Sequence, residues 1–310
     1  MIATVTLNAA LDKEYRLEKM QAGTVMRVTS CQATAGGKGL NVARVAAALG
    51  AQVTATGFLG GHTGAQIEEK LRQTTISPRF VQVEGESRTC INIIEDNKRS
   101  TELLEPGFTV SESDREHFLN EYAKLLQQSS VVTLNGSLPA GCPPEFYAQL
   151  IKMAKDAQVP VLLDTSGKAL SLGLEALPTL VKPNQDELRG LLGGEPGLEQ
   201  SIAAAKTLHA RGIAYVVVSL GKDGALMVCS EGVLKGTPPD VPVVNTVGCG
   251  DSMIAAFAVA MQRGDNPREM LQYALEISSA SAMHPATGGL DPAQAQALRG
   301  TAVVERIGSL

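Results

Sequence analysis

The sequence predicts an α/β fold in which helices cover both faces of a mostly parallel sheet. Short apolar runs alternate with amphipathic, helix-like segments along most of the chain, and such alternation is typical of βαβ units. The 310 residues, 44% of them hydrophobic, are enough to bury a large core, as one big α/β domain or as two smaller ones.

Seven apolar runs are the strand candidates, and the segments between them carry helical periodicity. The first helical segment shows this plainly, because apolar residues recur from Val42 to Leu49 at the spacing of one helix face and Gly50 follows as a stop signal. Strands are predicted at 2–7, 52–58, 131–134, 159–164, 179–183, 215–220 and 225–228, and helices near 38–49, 64–74, 113–128, 144–157 and 198–211.

Beyond residue 250 the sequence predicts an almost wholly helical chain, with helices near 251–263, 267–284 and 292–300. Two earlier stretches, 12–33 and 86–105, break the alternation of strands and helices. Both are polar, charged and β-prone, so we expect them to pair as a small sheet outside the main one and to form a lid.

Composition and charge argue against a nucleic-acid or membrane partner. The net charge is −5 and the sequence pI about 5.5, so no surface that follows a phosphate backbone is expected. No window approaches the ~20 apolar residues of a membrane span, and the N-terminus lacks a signal-peptide pattern. Cysteines and histidines are scattered without a C-x-x-C pair, which favours a reduced, cytoplasmic enzyme without a structural metal site.

The first candidate site is the segment GGKGLN, which starts at Gly36 directly before the first predicted helix. Its glycines allow a polar ligand to lie against the backbone, with Lys38 supplying positive charge and Asn41 a side-chain amide one turn further on. The alternative is a tight strand-to-helix turn in which the glycines only relieve backbone strain. The segment matches neither the P-loop nor the dinucleotide-binding fingerprint.

The second candidate site is NTVGCGDSMIAAF, in which a Gly-Cys-Gly turn at 248–250 precedes Asp251 at the start of a helix. Backbone N–H groups at a helix N-terminus attract anions, so this turn can hold a transferred phosphoryl group while Asp251 accepts the proton of an attacking hydroxyl. We expect a low pKa for a carboxylate placed there, and hence a base whose positioning matters more than its basicity. The alternative is a helix cap after a buried glycine turn.

The third candidate site, VKPNQDEL, places Asn184 and Glu187 three residues apart on one face of a helix start. Amide and carboxylate oxygens in this arrangement can order water around a Mg²⁺ ion at nucleotide phosphates. The alternative is structural, with Asn184 as the helix cap and with Asp186 and Glu187 interacting favourably with the helix dipole.

The fourth candidate site, VSLGKDGALMV, starts at Val218. Two apolar runs flank its G-K-D-G turn, which predicts a β-hairpin. The alternative to a ligand-binding role is a plain turn, in which Lys222 interacts only with solvent.

Together and in this order, the four motifs resemble the ribokinase-like sugar kinases, specifically their phosphofructokinase B branch, over essentially the whole chain. The resemblance implies a single kinase domain over 1–310, built as a three-layer α/β/α sandwich with a mostly parallel central sheet. It also implies a small β-lid from about 12–33 and 86–105, through which the chain forms a homodimer, and it implies the use of ATP and Mg²⁺.

Four further stretches, TVTLNAALD, GESRTCINII, STELLEPG and NGSLPAG, resemble the kinases of ketohexose phosphates within that branch. This closer resemblance implies phosphorylation of a ketohexose phosphate to a bisphosphate. D-tagatose 6-phosphate is the leading substrate, with fructose 1-phosphate and fructose 6-phosphate as alternatives. A non-catalytic sugar-phosphate-binding regulator on the same fold is the alternative from another class, and the presence of Asp251 argues against it.

The resemblance also implies a role for individual residues, in three groups. The catalytic group is Asp251 as the base, with Gly248, Cys249 and Gly250 as the anion hole. The substrate group is Asp12, Gly37, Lys38 and Asn41 at the sugar, Arg88 and Ser137, which help to hold the phosphosugar, and Arg27 at its phosphate. The nucleotide group is Lys182, Asn184, Glu187, Ser219, Gly221 and Gly224, of which Glu187 holds Mg²⁺ through water and Asn184 lies beside it.

Three residues depart from the pattern of the family. Cys249 stands where Ala or Ser is usual, which a backbone donor tolerates. Ala9 replaces a common proline, and Met26 replaces a common asparagine. Because the last two lie near the expected sugar pocket, they leave open which phosphosugar binds.

Overall fold

A ten-stranded mixed sheet forms the centre of the molecule in the computed structural model, which describes residues 1–97, 99–193 and 197–310. A separate four-stranded sheet lies outside it. The strands are β1 (Ile2–Thr6), β2 (Ala10–Leu17), β3 (Ser30–Gly36), β4 (Val53–Gly60), β5 (Ser77–Val83), β6 (Arg88–Glu95), β7 (Ser100–Leu104), β8 (Val131–Asn135), β9 (Val161–Asp164), β10 (Leu180–Val181), β11 (Tyr215–Ser219), β12 (Ala225–Cys229), β13 (Gly232–Thr237) and β14 (Val303–Gly308).

The central sheet has the order β14-β13-β12-β11-β10-β9-β8-β1-β4-β5. The seven adjacent strands β11-β10-β9-β8-β1-β4-β5 pair in parallel. Strands β12, β13 and β14 extend the sheet beyond β11 by antiparallel pairing. The prediction of a mostly parallel sheet is therefore confirmed. The parallel strands point their carboxyl ends to one edge, where ligands of open α/β sheets bind.

Helices flank both faces of the central sheet, as the predicted three-layer sandwich requires. One apolar core lies beneath α1, α2, α8, α9 and α10, and a second lies beneath α3 to α7. Among the described residues no helix is both long and apolar enough to cross a membrane. The helices are α1 (Lys38–Ala48), α2 (Gly61–Arg72), α3 (Glu112–Leu126), α4 (Phe146–Asp156), α5 (Gly167–Glu175), α6 (Gln185–Leu192), α7 (Leu198–Ala210), α8 (Cys249–Arg263), α9 (Pro267–Ala282) and α10 (Pro292–Ala297).

The second sheet has the order β3-β2-β6-β7 and forms outside the main one, as predicted for these stretches; we refer to it as the lid. Its strands fall within or beside 12–33 and 86–105, but residues 18–29 form an exposed excursion between β2 and β3 rather than strand. Register places Asp12 of β2 opposite Thr34 of β3 and Cys90 of β6. The lid is thus a sheet that connects to the sandwich at the ends of β2 and β3.

The expectation of an almost wholly helical chain beyond residue 250 is wrong at its end. Residues Val303–Gly308 form β14, an edge strand that pairs with β13 and is exposed along most of its length. Its sequence, VVERIG, carries no clear apolar alternation, because neither face of this edge strand is deeply buried. Pairing with β13, a contact distant in sequence, makes it a strand.

Candidate active site

A cleft of about 1290 Å³ opens between the carboxyl ends of the parallel strands and the lid. The predicted site residues that line it are Asp12, Gly37, Lys38, Asn41, Arg88, Lys182, Asn184, Ser219, Gly221, Gly224, Gly248, Cys249, Gly250 and Asp251. Residues from all four motifs therefore meet at one place. Glu187, Ser137 and Arg27 lie outside this lining and are described below.

Close contacts require the glycines around the start of α1. A Cβ on Gly36 would lie 2.0 Å from Oδ2 of Asp12, and one on Gly39 would lie 2.2 Å from Oγ1 of Thr6. Gly37 has a φ of 101°, which other residues rarely adopt. The tight strand-to-helix turn is therefore real, and it also brings the carboxylate of Asp12 from the lid against the start of α1.

A cluster of opposite charges lies where α1, β9 and β10 meet. Asp164, the last residue of β9, is buried, with its Oδ1 3.3 Å from Nζ of Lys38 and 3.7 Å from Nζ of Lys182. Its Oδ2 is buried without a hydrogen-bond partner among the residues that the structure describes. Sequence reasoning missed Asp164, although an aspartate directly after the apolar run at 159–163 is a usable signal for the carboxyl end of a buried strand.

Asp251 occupies the first turn of α8 and is only 6% exposed. Its Oδ2 accepts a hydrogen bond of 2.7 Å from Nδ2 of Asn41, so α1 holds the carboxylate in place. We refer to Lys38, Asn41, Asp164, Lys182 and Asp251 as the cleft floor.

The expected low pKa of Asp251 is wrong. Burial, and next the carboxylate of Asp164, raise its pKa to about 7, against the opposing effects of the Asn41 hydrogen bond and of Lys38 and Lys182. The helix dipole lowers the pKa of a carboxylate at the N-terminus only modestly. Desolvation of a buried charge raises the pKa by more, so it is the larger effect here. Asp251 is therefore a better base than its helix position alone indicates.

The Gly-Cys-Gly turn at 248–250 offers two of the three predicted N–H donors. The N–H of Cys249 donates to the carbonyl of Thr246 at 3.3 Å, while those of Gly248 and Gly250 have no partner within the described part of the chain. Lys182 adds positive charge, since its Nζ lies 3.3 Å from the position of a Cβ on Gly250. Burial raises the pKa of the Cys249 thiol to about 11, so this side chain is neutral near pH 7.

Asn184 and Glu187 form a capping box at the start of α6, as the structural alternative expects. Oδ1 of Asn184 accepts from the N–H of Glu187 at 2.8 Å, and Oε2 of Glu187 accepts from the N–H of Asn184 at 2.9 Å. The other carboxylate oxygen, Oε1, lies 3.8 Å from Nζ of Lys38. The cap therefore leaves Glu187 with one oxygen directed to the cleft floor.

The donor set suits a Mg²⁺ ion only if water and phosphate supply most of its ligands. Among the residues that the structure describes, no group of three or more His, Cys, Asp or Glu side chains is placed to hold a metal ion. Oδ2 of Asp164, which has no hydrogen-bond partner among the described residues, and Oε1 of Glu187, which neighbours only Lys38 in the described part of the chain, are hard oxygen donors of the kind that Mg²⁺ prefers. Two such oxygens fit an ion that keeps several waters and binds nucleotide phosphates.

The predicted hairpin at 218–228 is confirmed. β11 and β12 pair antiparallel around a 3₁₀ turn at Gly221–Asp223. Gly224 has a φ of 89°, and a Cβ there would lie 2.0 Å from the carbonyl oxygen of Gly236. The N–H of Ser219 donates to the carbonyl of Pro183 at 3.1 Å, and Ser219 thereby forms an isolated parallel β-bridge with Asn184. This bridge joins the third and fourth motifs.

At the lid end of the cleft, Arg88 donates through Nε to the carbonyl of Asn8 at 3.0 Å. Nδ2 of Asn8 lies 3.5 Å from Oγ of Ser137, so Ser137 stands at the margin of the same corner although it does not line the cleft. Arg27 lies in the exposed excursion 18–29 and is not brought to the cleft within one chain. Asn8 itself was missed, because an Asn between two strands carries no signal in the sequence.

Comparison with known proteins agrees with this geometry. The pfkB family of carbohydrate kinases matches residues 5–294. Tagatose-6-phosphate kinase from Staphylococcus epidermidis is 37% identical over 295 residues, covering 94% of this chain and 95% of that protein. A possible 1-phosphofructokinase from Thermotoga maritima superimposes with a TM-score of 0.89 at 30% identity, covering 99% of both chains. The tetrameric inhibited form of phosphofructokinase-2 from Escherichia coli superimposes with a TM-score of 0.89 at 30% identity, covering 96% of this chain and 97% of that chain.

Proposed function

Because this chain belongs to the pfkB family of carbohydrate kinases, we propose that it transfers the γ-phosphoryl group of ATP to a ketohexose phosphate, with D-tagatose 6-phosphate as its substrate. The observation that carries the proposal is Asp251, a buried carboxylate held by Asn41. Beside it lie two lysines and the N–H groups of Gly248 and Gly250, which have no partner among the described residues. This arrangement combines a base with an anion site, as phosphoryl transfer requires.

In the proposed reaction a sugar hydroxyl attacks the γ-phosphorus of ATP. A bond forms between that oxygen and phosphorus, the bond from phosphorus to the bridging oxygen breaks, ADP leaves, and Asp251 accepts the hydroxyl proton. The N–H groups of Gly248 and Gly250, with the ammonium of Lys182, stabilise the negative charge on the transferred group. Burial keeps water away from this point of the cleft floor.

The nucleotide lies along the hairpin and the start of α6 in this proposal. Lys182, Asn184, Ser219, Gly221 and Gly224 line that side of the cleft. Mg²⁺, when bound, neutralises charge on the β- and γ-phosphate oxygens. Glu187 and Asp164 would hold the ion, the former through water.

The sugar lies between the lid and α1, in contact with Asp12, Gly37, Lys38 and Asn41. Its own phosphate binds at the corner of Arg88, whose terminal guanidinium nitrogens make no hydrogen bond within the described part of the chain. An arginine fork binds two phosphate oxygens at once, which favours a phosphorylated over a free sugar. The curated relative supports tagatose 6-phosphate, and the Thermotoga neighbour supports fructose 1-phosphate as the alternative.

The lid is also the proposed interface of a homodimer. Val25, Leu103 and Leu104 expose 90%, 52% and 63% of their surface, an arrangement that favours association of this sheet with another protein surface. The tetrameric neighbour from E. coli shows that a similar chain assembles. In such a dimer, or after movement of the excursion 18–29, Arg27 would reach a substrate phosphate.

A coupled ADP-release assay tests the proposed function. D-tagatose 6-phosphate, fructose 1-phosphate, fructose 6-phosphate, free tagatose and free fructose are compared at equal concentrations with Mg²⁺ and ATP. We expect the highest kcat/KM with D-tagatose 6-phosphate and at least a tenfold lower value with either free hexose. A clear preference for a free sugar would overturn the phosphosugar proposal, and the Asp251→Asn variant controls for contaminating kinases.

A further inference from the structure

Arg44 is the one charged residue in the stretch Gly39–Ala46 of α1, and its side chain is directed toward the catalytic end of the helix. It lies three residues after Asn41, so the two side chains are neighbours on the same face. The surrounding helix residues, such as Val42 and Val45, are buried and apolar. A half-buried guanidinium at such a position requires partners, and the structure supplies them.

Three acceptors surround this guanidinium. Nη2 donates to Oδ1 of Asn41 and, at 3.2 Å, to the carbonyl of Thr287, while Nη1 donates to the carbonyl of Ala35. These groups belong to three different parts of the chain: α1, the end of lid strand β3, and the turn that packs against the start of α8. Arg44 therefore joins the base of the lid to the cleft floor.

The hydrogen bond to Asn41 decides what the other end of that amide does. An amide presents an oxygen on one side and an NH₂ group on the other. With Oδ1 engaged by Arg44, the NH₂ group must face Asp251, where it donates at 2.7 Å to Oδ2. In the opposite orientation two oxygens would face each other, and the carboxylate would lose its partner.

The turn on the far side of Asn41 leaves this amide little room to adjust. A Cβ on Gly288 would lie 2.8 Å from Cβ of Asn41, and a Cβ on Gly248 would lie 2.8 Å from the N–H nitrogen of Gly288. Arg44 fastens the same turn through Thr287. Asn41, the turn and the Gly-Cys-Gly segment therefore pack as one unit with Arg44 at its edge.

We propose that Arg44 is a positioning residue for phosphoryl transfer, which orients the Asn41 amide so that it holds the Asp251 carboxylate in line with the attacking hydroxyl. This inference rests on the proposed role of Asp251 as the base. Arg44 is not among the residues that line the cleft, so in this proposal its effect on the reaction passes through Asn41.

The test is steady-state kinetics of Arg44→Met, Arg44→Lys, Asn41→Ala and the double variant Asn41→Ala/Arg44→Met, each with a thermal melt. For Arg44→Met we expect kcat to fall roughly 10- to 100-fold, the range that loss of one charge-assisted hydrogen bond produces, while the KM for ATP stays within about twofold. Arg44→Lys keeps the charge and one donor, so it recovers part of kcat.

The double variant separates positioning from general stability. If Arg44 acts through Asn41, removing Arg44 in the Asn41→Ala background lowers kcat far less than in the wild type, whereas independent effects multiply. Arg299→Met is the matched control, because Arg299 packs 4.3 Å from the ring centroid of Tyr273 and pairs with Glu276 away from the cleft. It is expected to lower the melting temperature without lowering kcat.

Two outcomes overturn the inference: an unchanged kcat in folded Arg44→Met, or multiplicative losses in the double variant. Should Arg44→Met melt below the assay temperature, Arg44→Lys decides, and a kcat equal to that of the wild type, despite the lost fork, rejects the role. Near-normal turnover of Asp251→Asn would instead remove the base itself and reject the proposed function, so the two failures are distinguishable.

Discussion

The cleft floor and the lid contain charged residues in opposite physical settings. On the floor, Asp164, Lys182 and Asp251 are nearly inaccessible to water, and each is matched by a partner on another element. On the lid, Arg88 is half-buried and Arg27 is exposed. This difference fits the proposed function, in which the floor carries the chemistry, which requires fixed dipoles in a dry place, and the lid binds the sugar, which tolerates exposure and movement.

This comparison predicts that floor variants lower kcat and lid variants raise KM. The largest effect is expected for Asp251→Asn, because a positioned general base contributes about 10²- to 10⁴-fold to the rate. The measurement is kcat with saturating phosphosugar and ATP, beside a thermal melt that shows the variant to be folded. Turnover close to that of the wild type in a folded variant would remove Asp251 from the mechanism.

The matching lid variant is Arg88→Ala. Loss of a hydrogen bond from a charged donor to a phosphate corresponds to roughly 1.5–3 kcal/mol, so the KM for the phosphosugar should rise about 10- to 100-fold while that for ATP hardly changes. Arg27→Ala is the companion variant, since within one chain Arg27 lies away from the cleft. An unchanged phosphosugar KM in Arg88→Ala would contradict the assignment of this corner to the substrate phosphate.

The nucleotide side of the floor is tested by Glu187→Gln. Glutamine preserves the capping box but removes the negative charge beside Lys38, so the Mg²⁺ concentration for half-maximal rate should increase several-fold. Titration of Mg²⁺ at saturating sugar measures this. Asp186→Asn is the control, because that carboxylate is 81% exposed and pairs with Arg189. Equal Mg²⁺ curves for Glu187→Gln and the wild type would restrict Glu187 to capping α6.

A smaller effect is expected on stability, with a defined dependence on pH. Burial raises the pKa of Asp251 from 3.8 in the unfolded chain to about 7 in the folded protein. The ionised carboxylate therefore destabilises the ligand-free protein fully above pH 7, and this penalty disappears as the pH falls toward 3.8. Asp251→Asn should melt a few degrees higher than the wild type at pH 8, with the difference narrowing at acidic pH. A difference in Tm that is constant with pH would reject the burial of an ionised group.

The smallest effect is expected for Cys249→Ala. The thiol is neutral near pH 7, and Cys249 contributes only its backbone to the Gly-Cys-Gly turn. Therefore kcat should remain within a few-fold of the wild type. The same kinetic assay provides the measurement. A loss near 100-fold would give the side chain a role in the floor that its neutral state does not explain.

The fold and the location of the site follow from local sequence patterns. Alternating apolar runs and amphipathic segments are properties of local sequence, so the sandwich, the hairpin at 218–228 and the separate small sheet could be predicted. The four motifs also predict one cleft, since each stands at the end of a strand or the start of a helix. β14 escaped prediction because an exposed edge strand carries no apolar pattern of its own.

The sequence by itself determined which ionisable and polar residues the candidate site contains. The tertiary structure decided their pKa values and their hydrogen-bond partners. The pKa of Asp251 depends on burial and on Asp164, which lies 87 positions earlier in the chain; no local pattern reports either. Likewise, Thr287 reaches Arg44 and Arg88 reaches Asn8 through contacts between distant segments. Desolvation and long-range charge pairing are properties of the folded arrangement, because they depend on what surrounds a side chain and not on its neighbours in sequence.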